Sequence, residues 1–156
     1  MQALVVYYSR TGNTKKVGED ISAELHCDAE EIVDTADRSG PVGFVMSGRQ
    51  ATLKELTKIE PLQKDPSKYD LVIIGTPVWA FTMSAPVRTY ILDHREKFKK
   101  VAFFITLGNI GAESTLKDLA ELCAKPAEGT LIVKVRDISK EDYKDNLKKF
   151  IGVLGK

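Results

Sequence analysis

The chain of 156 residues is 43% hydrophobic and 29% charged, which is typical of a globular domain and not of a disordered chain. Its formal net charge of +1 excludes a nucleic-acid-binding protein that relies on a broad basic surface. No apolar run approaches the length of a membrane span, and the first one lacks the basic leader of a signal peptide. The sequence therefore predicts a single cytoplasmic domain over residues 1–156, with neither nucleic acid nor membrane as a partner.

Strands and helices alternate along the chain. Continuous apolar runs predict strands that are buried on both faces, and apolar residues at helical spacing predict helices between them. The predicted strands are Ala3–Tyr8, Ala29–Val33, Tyr69–Gly75, Val101–Thr106 and Thr130–Val135. This alternation predicts an α/β fold, a five-stranded parallel sheet with helices on both faces. A helix is predicted over Ser84–Phe98, whereas Asp34–Lys58, interrupted by glycines and a proline, fits either a mobile insertion or a broken helix.

The most informative segment is the turn after the first predicted strand. The apolar run stops at Ser9, and the polar residues Thr11, Asn13 and Thr14 follow with Gly12 before an amphipathic helix. A helix N-terminus offers unpaired backbone N–H groups and the positive end of the helix dipole, so it favours a bound phosphate. A competing interpretation is that Thr11 or Asn13 only caps the helix, although one cap needs only one such side chain.

Two further turns are predicted at the same edge of the sheet. Ligands of open parallel sheets bind outside the carboxyl ends of the strands, which draws attention to the turns after the third and fourth predicted strands. The second turn, Thr76–Pro86, holds the only tryptophan of the chain. The third turn, Thr106–Ser114, holds two glycines and an asparagine.

The first turn resembles the phosphate loop of the flavodoxin family, whose members bind flavin mononucleotide (FMN) non-covalently. The resemblance rests on Val5-Val6-Tyr7 followed at fixed spacing by Ser9, Gly12 and Thr14, and it extends to the chain length and the alternation of elements. Gly18 departs from the family pattern, where alanine is usual. The resemblance implies a doubly wound sheet of order 2-1-3-4-5. It also implies phosphate contacts from Ser9, Thr11, Asn13 and Thr14, with backbone groups from Arg10 and Gly12.

The resemblance further implies that the second and third turns flank the flavin ring. Trp79 is the best candidate for stacking on an aromatic ring, and Phe81 is the second. Gly108 and Gly111 permit a close backbone approach, whereas Asn109 fits an ordinary turn residue equally well. The predicted ring-binding residues are Thr76, Pro77, Val78, Trp79, Ala80, Phe81, Thr106, Leu107, Gly108, Asn109 and Gly111.

Other proteins built on this architecture need residues that the chain lacks. A receiver domain needs an aspartate at the end of the third strand, where Gly75 and Thr76 stand. A low-molecular-weight phosphatase needs a cysteine in the first turn, and a dinucleotide-binding unit needs G-x-G-x-x-G there. Cys27 and Cys123 lack metal-ligand spacing, and neither histidine has a nucleophilic partner. No catalytic and no metal-binding residue is therefore predicted.

Two functions remain open for a chain with these features. One is an electron carrier that docks with redox partner proteins, which the family resemblance favours. The other is an FMN-dependent oxidoreductase that passes electrons from NAD(P)H to a quinone or another small molecule, and a sensory or structural flavin module is a weaker third. The third turn has no aromatic residue, so one ring face is expected either to be open or to be covered by Asp34–Lys58. An open face and the near-neutral charge favour the oxidoreductase. The lack of glycine in Thr76–Pro86 also favours the oxidoreductase, because a left-handed backbone at Ala80 carries an energetic cost that glycine there would avoid.

Overall fold

The structure is a computed structural model that describes residues 1–155, so Lys156 of the predicted domain lies outside the described part. The strands are β1 (Ala3–Tyr7), β2 (Asp28–Glu31), β3 (Leu71–Trp79), β4 (Thr82–Met83), β5 (Lys100–Leu107) and β6 (Ala127–Lys134). The helices are α1 (Asn13–Leu25), α2 (Gly40–Thr52), α3 (Ala85–His94), α4 (Ala112–Cys123), α5 (Val135–Ile138) and α6 (Lys144–Leu154). Within the described residues, no helix combines the length and the apolar character that crossing a membrane requires.

Five of the strands form a parallel sheet in the order β2-β1-β3-β5-β6. This is the predicted doubly wound order, but the predicted count of five strands is wrong. The sixth strand, β4, pairs antiparallel with the end of β3. Strand β3 also extends beyond its predicted end at Gly75, because Thr76 and Pro77 remain paired with β5 while Val78 and Trp79 pair with β4.

The two faces of the sheet bury separate hydrophobic clusters. Alternate residues of a strand point to opposite faces, so Val5 and Ile73 pack under α1 and α6, while Val6 and Ile74 pack under α3 and α4. The predicted alternation of buried strands with helices on both faces is therefore confirmed. Close packing in the centre requires Gly75, since a Cβ atom there would lie 1.9 Å from Phe104 Cζ.

Two predicted helical regions differ from the observed structure. The helix predicted over Ser84–Phe98 begins at Ala85 and ends at His94, after which Arg95–Lys97 forms a short 3-10 turn. The segment Asp34–Lys58 contains the unbroken helix α2, although glycine weakens a helix interior. An antiparallel bridge between Asp34 and Ile59 brings the two ends of this segment together.

Candidate functional site

A cavity of about 390 Å³ opens at the carboxyl ends of β1, β3 and β5. Its size lies within the roughly 300 to 1,000 Å³ that is typical of small-molecule sites. Five parts of the chain form its walls: the first turn with the start of α1, helix α2, the end of β3 with the turn that follows, the end of β5 with its following turn, and the start of α5 at Val135. The lining contains the arginines Arg10 and Arg49 and, within the described residues, no carboxylate. The cavity therefore favours an anionic ligand.

The N-terminus of α1 forms one end of the cavity. The N-cap is Gly12, whose φ of 95° suits glycine, and the helix has no side-chain cap. The interpretation of Thr11 or Asn13 as a simple cap is therefore wrong. Ser9 Oγ accepts a hydrogen bond from the Gly12 N–H at 3.0 Å. Because the first intrahelical bond runs from Lys16 N to Gly12 O, the preceding N–H groups have no acceptor inside the helix.

Two buried hydroxyls connect α1 to the neighbouring strand β5. Thr14 Oγ1 and Thr106 Oγ1 lie 2.7 Å apart, and both residues line the cavity. A hydroxyl has one proton to donate and two lone pairs that accept. If Thr106 donates to Thr14, the Thr14 proton is available to a ligand in the cavity. The pair thus fixes the helix start and supplies one further donor.

Trp79 lies at the opposite, more apolar end. The Tyr8 ring contacts its indole edge-on at a centroid distance of 5.5 Å, and the Arg38 guanidinium lies 5.1 Å from the indole centroid. Burial raises the pKa of Tyr8, so its phenol stays protonated at neutral pH. Trp79 itself is half-buried and lines the cavity. These contacts hold its ring in one place.

The turn between β3 and β4 has a left-handed backbone at two residues that are not glycine. Ala80 has a φ of 48° and Phe81 a φ of 66°, the pattern of a two-residue type I′ hairpin turn. Ala80 therefore adopts the left-handed backbone despite the energetic cost expected for a residue that is not glycine. Surrounding contacts fix the turn: Ser114 Oγ donates to Phe81 O at 2.6 Å, and a Cβ on Gly111 would lie only 2.9 Å from a Val78 methyl carbon.

Helix α2 belongs to the segment Asp34–Lys58, whose cover of a ring face is one of the two expected alternatives, and it supplies a wall whose individual residues the sequence did not predict. Phe44 and Val45 line the cavity although each remains 67% exposed. Arg10 connects this helix to the first turn, since its Nε donates to Arg38 O at 2.8 Å and its Nη2 to Gly40 O at 3.0 Å. The only sequence signal for this wall is the apolar run Phe44–Met46 inside a segment rich in glycine, and that run has no recognisable motif.

The comparisons with known proteins are consistent with this architecture. No protein-family model matches the chain, and no match is found among curated proteins. A flavoprotein of Lactobacillus acidophilus NCFM, solved in complex with FMN, is 23% identical over 92% of this chain and 98% of that chain, with a TM-score of 0.71. The apo-form of the flavoprotein from that organism is 25% identical over 85% and 91% of the two chains, with a TM-score of 0.62.

A third structure, flavodoxin 2 of Bacillus cereus, is 16% identical over 99% of this chain and 98% of that chain, with a TM-score of 0.64. Its fold matches across nearly the whole length of both chains. The chain has the flavodoxin-like fold. A fold does not by itself decide a function, so the assignment of a ligand depends on the residues of the cavity.

The flavodoxin-like fold brings many of the predicted site residues into the cavity. Those that line it are Arg10, Thr11, Asn13, Thr14, Pro77, Val78, Trp79, Ala80, Thr106, Leu107 and Gly108. Those that lie outside the lining are Ser9, Gly12, Thr76, Phe81, Asn109 and Gly111. Lining residues that were not predicted are Phe44, Val45, Ser47, Gly48, Arg49, Thr52 and Val135.

Structural roles account for some of the predicted residues outside the lining. Thr76 is buried, and its hydroxyl accepts a hydrogen bond from Ser84 N at 3.0 Å at the start of α3. Gly111 packs against Val78 and the backbone of Phe81. Phe81 is 57% exposed at the tip of the hairpin. Gly108, in contrast, faces open space, because a Cβ atom there would meet no atom within 4 Å.

Proposed function

We propose that the cavity binds FMN non-covalently, with the phosphate at the N-terminus of α1 and the flavin ring against Trp79. The observation that carries this proposal is the combination, in one cavity, of an uncapped helix N-terminus and an apolar aromatic wall. The lining supplies N–H and hydroxyl donors for a dianion and no carboxylate that would repel it. The FMN named for the Lactobacillus acidophilus flavoprotein of the same fold supports this choice of ligand.

FMN, when bound, supplies the redox chemistry at this site. The role of the protein is then to hold the phosphate, orient the ring and limit its contact with water. The Asn13, Thr14 and Lys15 N–H groups precede the first intrahelical bond and can donate to phosphate oxygens. Trp79, Val78 and Leu107 offer the apolar surface that a flat ring requires.

We infer that the protein carries electrons between redox partners, as a cytoplasmic protein of flavodoxin type. Phe44 lines the cavity, Phe81 follows the lining residue Ala80, and Ile110 lies two residues after the lining residue Gly108; all three side chains are exposed. Such apolar surface suits transient docking of another protein over the flavin. The flavodoxins of Bacillus cereus, which share the fold over nearly their full length, support this inference.

One observation favours the second candidate, an FMN-dependent NAD(P)H:quinone or other small-substrate oxidoreductase. The turn after β5 places no aromatic side chain in the cavity, and Gly108 faces open space there. A ring face without an aromatic cover can accept a second flat molecule. Oxidation of NAD(P)H by the FMN-loaded protein, with and without a quinone, distinguishes the two candidates: multiple turnovers identify the oxidoreductase.

Titration of the flavin-free protein with FMN and with riboflavin tests the proposed ligand. Trp79 is the only tryptophan, so quenching of its emission reports on the ring end directly. We expect FMN to bind more tightly than riboflavin by at least two orders of magnitude, since hydrogen bonds to charged groups contribute roughly 1.5–3 kcal/mol each. Equal affinities for FMN and riboflavin would contradict a phosphate site at α1. Unchanged Trp79 emission would mean that the flavin ring binds elsewhere.

A further inference from the structure

A buried arginine lies next to the cavity but outside its lining. The Arg38 side chain is 4% exposed and forms an ion pair with Asp34, which is 3% exposed. On α2, Ser47 Oγ accepts from Nη1 at 3.1 Å and Gln50 Oε1 accepts from Nη2 at 2.6 Å. The same guanidinium stacks on Trp79. One side chain therefore contacts two walls of the cavity.

The backbone around Arg38 is equally constrained. Helix α2 lies directly against it, because a Cβ atom on Gly43 would lie 2.2 Å from the carbonyl carbon of Arg38. Asp34 Oδ1 accepts hydrogen bonds from Thr57 Oγ1 at 2.8 Å and from Ala36 N at 3.1 Å. The ion pair thus holds the chain on both sides of α2.

The geometry argues against Arg38 as a phosphate ligand. Its Nε pairs with Asp34 and each terminal nitrogen donates to a side chain of α2, which together use three of its five N–H donors. Asp34 also balances its charge. The Arg38 guanidinium is instead a cation fixed between the indole of Trp79 and the polar side of α2.

We propose that Arg38 is a positioning residue for the ring end of the cavity, where it fixes Trp79 and α2 relative to each other. The inference rests on the proposed binding of FMN, because it assigns a role toward the flavin ring. Arg38 acts through Trp79 and α2 and makes no contact with the ligand itself. Its loss therefore affects every ligand that carries the ring, with or without a phosphate.

The test compares FMN and riboflavin affinity in wild type and Arg38→Met. We expect both affinities to fall by the same factor, roughly three- to tenfold, the size of an aromatic stacking contact. A fall for FMN alone would overturn the proposal, because it would make Arg38 a phosphate-recognition residue. Arg95→Met is the matched control, since Arg95 is exposed and donates to Leu122 O in a separate groove.

Removal of one member of a buried ion pair threatens folding, so two further variants accompany the test. Asp34→Asn/Arg38→Met removes both charges and keeps an oxygen acceptor at position 34. Arg38→Lys keeps the charge but cannot form the forked contacts to Ser47 and Gln50. We expect both variants to bind riboflavin more weakly than wild type does. Their far-ultraviolet circular dichroism should remain that of wild type.

Two flavin-free measurements separate this proposal from the proposed function. In the Arg38 variants we expect faster acrylamide quenching of Trp79 and faster chymotrypsin cleavage after Phe44, because both walls lose their anchor. If wild type binds no flavin, the proposed function fails while these measurements still decide the role of Arg38. The proposal would be overturned if every folded variant showed the same quenching and cleavage rates as wild type.

Discussion

Helices α1 and α2 both line the cavity, but different forces hold them in place. Helix α1 buries Val17 and Ile21 in the hydrophobic cluster on its face of the sheet. Helix α2 buries Gly43, Ser47 and Ala51, which offer little apolar surface, and it leaves its larger apolar residues exposed. Burial of apolar area therefore fixes the first helix, whereas polar contacts around Arg38 fix the second.

Because of this difference, the cavity can combine a rigid wall, α1, with an adjustable wall, α2. A helix with few buried apolar contacts opens at a lower free energy than one that belongs to the core. The α1 wall is thus expected to persist as long as the domain is folded. The α2 wall is expected to respond to single substitutions without loss of the sheet.

The largest expected effect comes from Gly43→Ala, which breaks the α2 wall. The new methyl group meets the Arg38 backbone, which cannot move aside as a flexible side chain could. Overpacking of this kind costs roughly 1–3 kcal/mol, so we expect FMN affinity to fall about tenfold or more while urea unfolding remains a single transition. Gly48→Ala is the control, because its Cβ would meet no atom within 4 Å. Equal losses in both variants would contradict a specific contact with Arg38.

The next largest effect is expected from Thr14→Ala, which alters the α1 wall. The substitution removes a donor to the phosphate, so we expect FMN affinity to fall by about tenfold to a hundredfold. It also leaves the buried hydroxyl of Thr106 without its partner, at a cost of about 1–3 kcal/mol in unfolding free energy. Thr106→Ala breaks the same bond from the other side. A similar loss of FMN affinity in both variants would mean that the Thr14 hydroxyl does not serve the phosphate.

A pH experiment tests how firmly α1 is anchored. Burial would raise the pKa of Asp20, but hydrogen bonds from Lys144, Tyr143 and Lys16 outweigh it and lower the pKa overall. The ionised carboxylate therefore stabilises the fold fully above its unfolded pKa of about 3.9, and this stabilisation disappears as the pH falls through the lower folded value.

We expect Asp20→Asn to reduce unfolding free energy at pH 7 by roughly 1–3 kcal/mol, and the difference from wild type to shrink below about pH 4. Glu24→Gln on the exposed side of the same helix is the control. A pH-independent difference would show that the charge of Asp20 contributes nothing. Chemical denaturation between pH 2 and pH 7 measures both variants.

The smallest effect is expected at the hairpin turn. Glycine removes the cost of a left-handed backbone, so Ala80→Gly should raise unfolding free energy by about 1 kcal/mol. Ala124→Gly gives the matched comparison, because Ala124 has a φ of 54° at the end of α4, away from the cavity. A gain at Ala124 without one at Ala80 would mean that contacts of the Ala80 methyl group outweigh the strain.

The alternation of strands and helices and the first wall of the cavity could be predicted from local patterns. A buried strand reads as a continuous apolar run, and the residues that begin α1 lie next to one another in the sequence. The end of β3 could not be placed in this way. Thr76–Trp79 resembles a turn in isolation, and only its neighbours β4 and β5 keep it extended.

The sequence by itself determined the alternation of strands and helices, the sheet order that its family resemblance implies, and the polar turn before α1. The alternation and the polar turn depend on residues that are close in the chain, where side-chain pattern and backbone preference act directly, whereas the sheet order was available only through the resemblance. Only the tertiary structure decided the α2 wall, the left-handed turn at Ala80 and the pairing of Thr14 with Thr106. Each of these features depends on contacts between residues that are far apart in the sequence. Such contacts form only on folding, so no local sequence pattern predicts them.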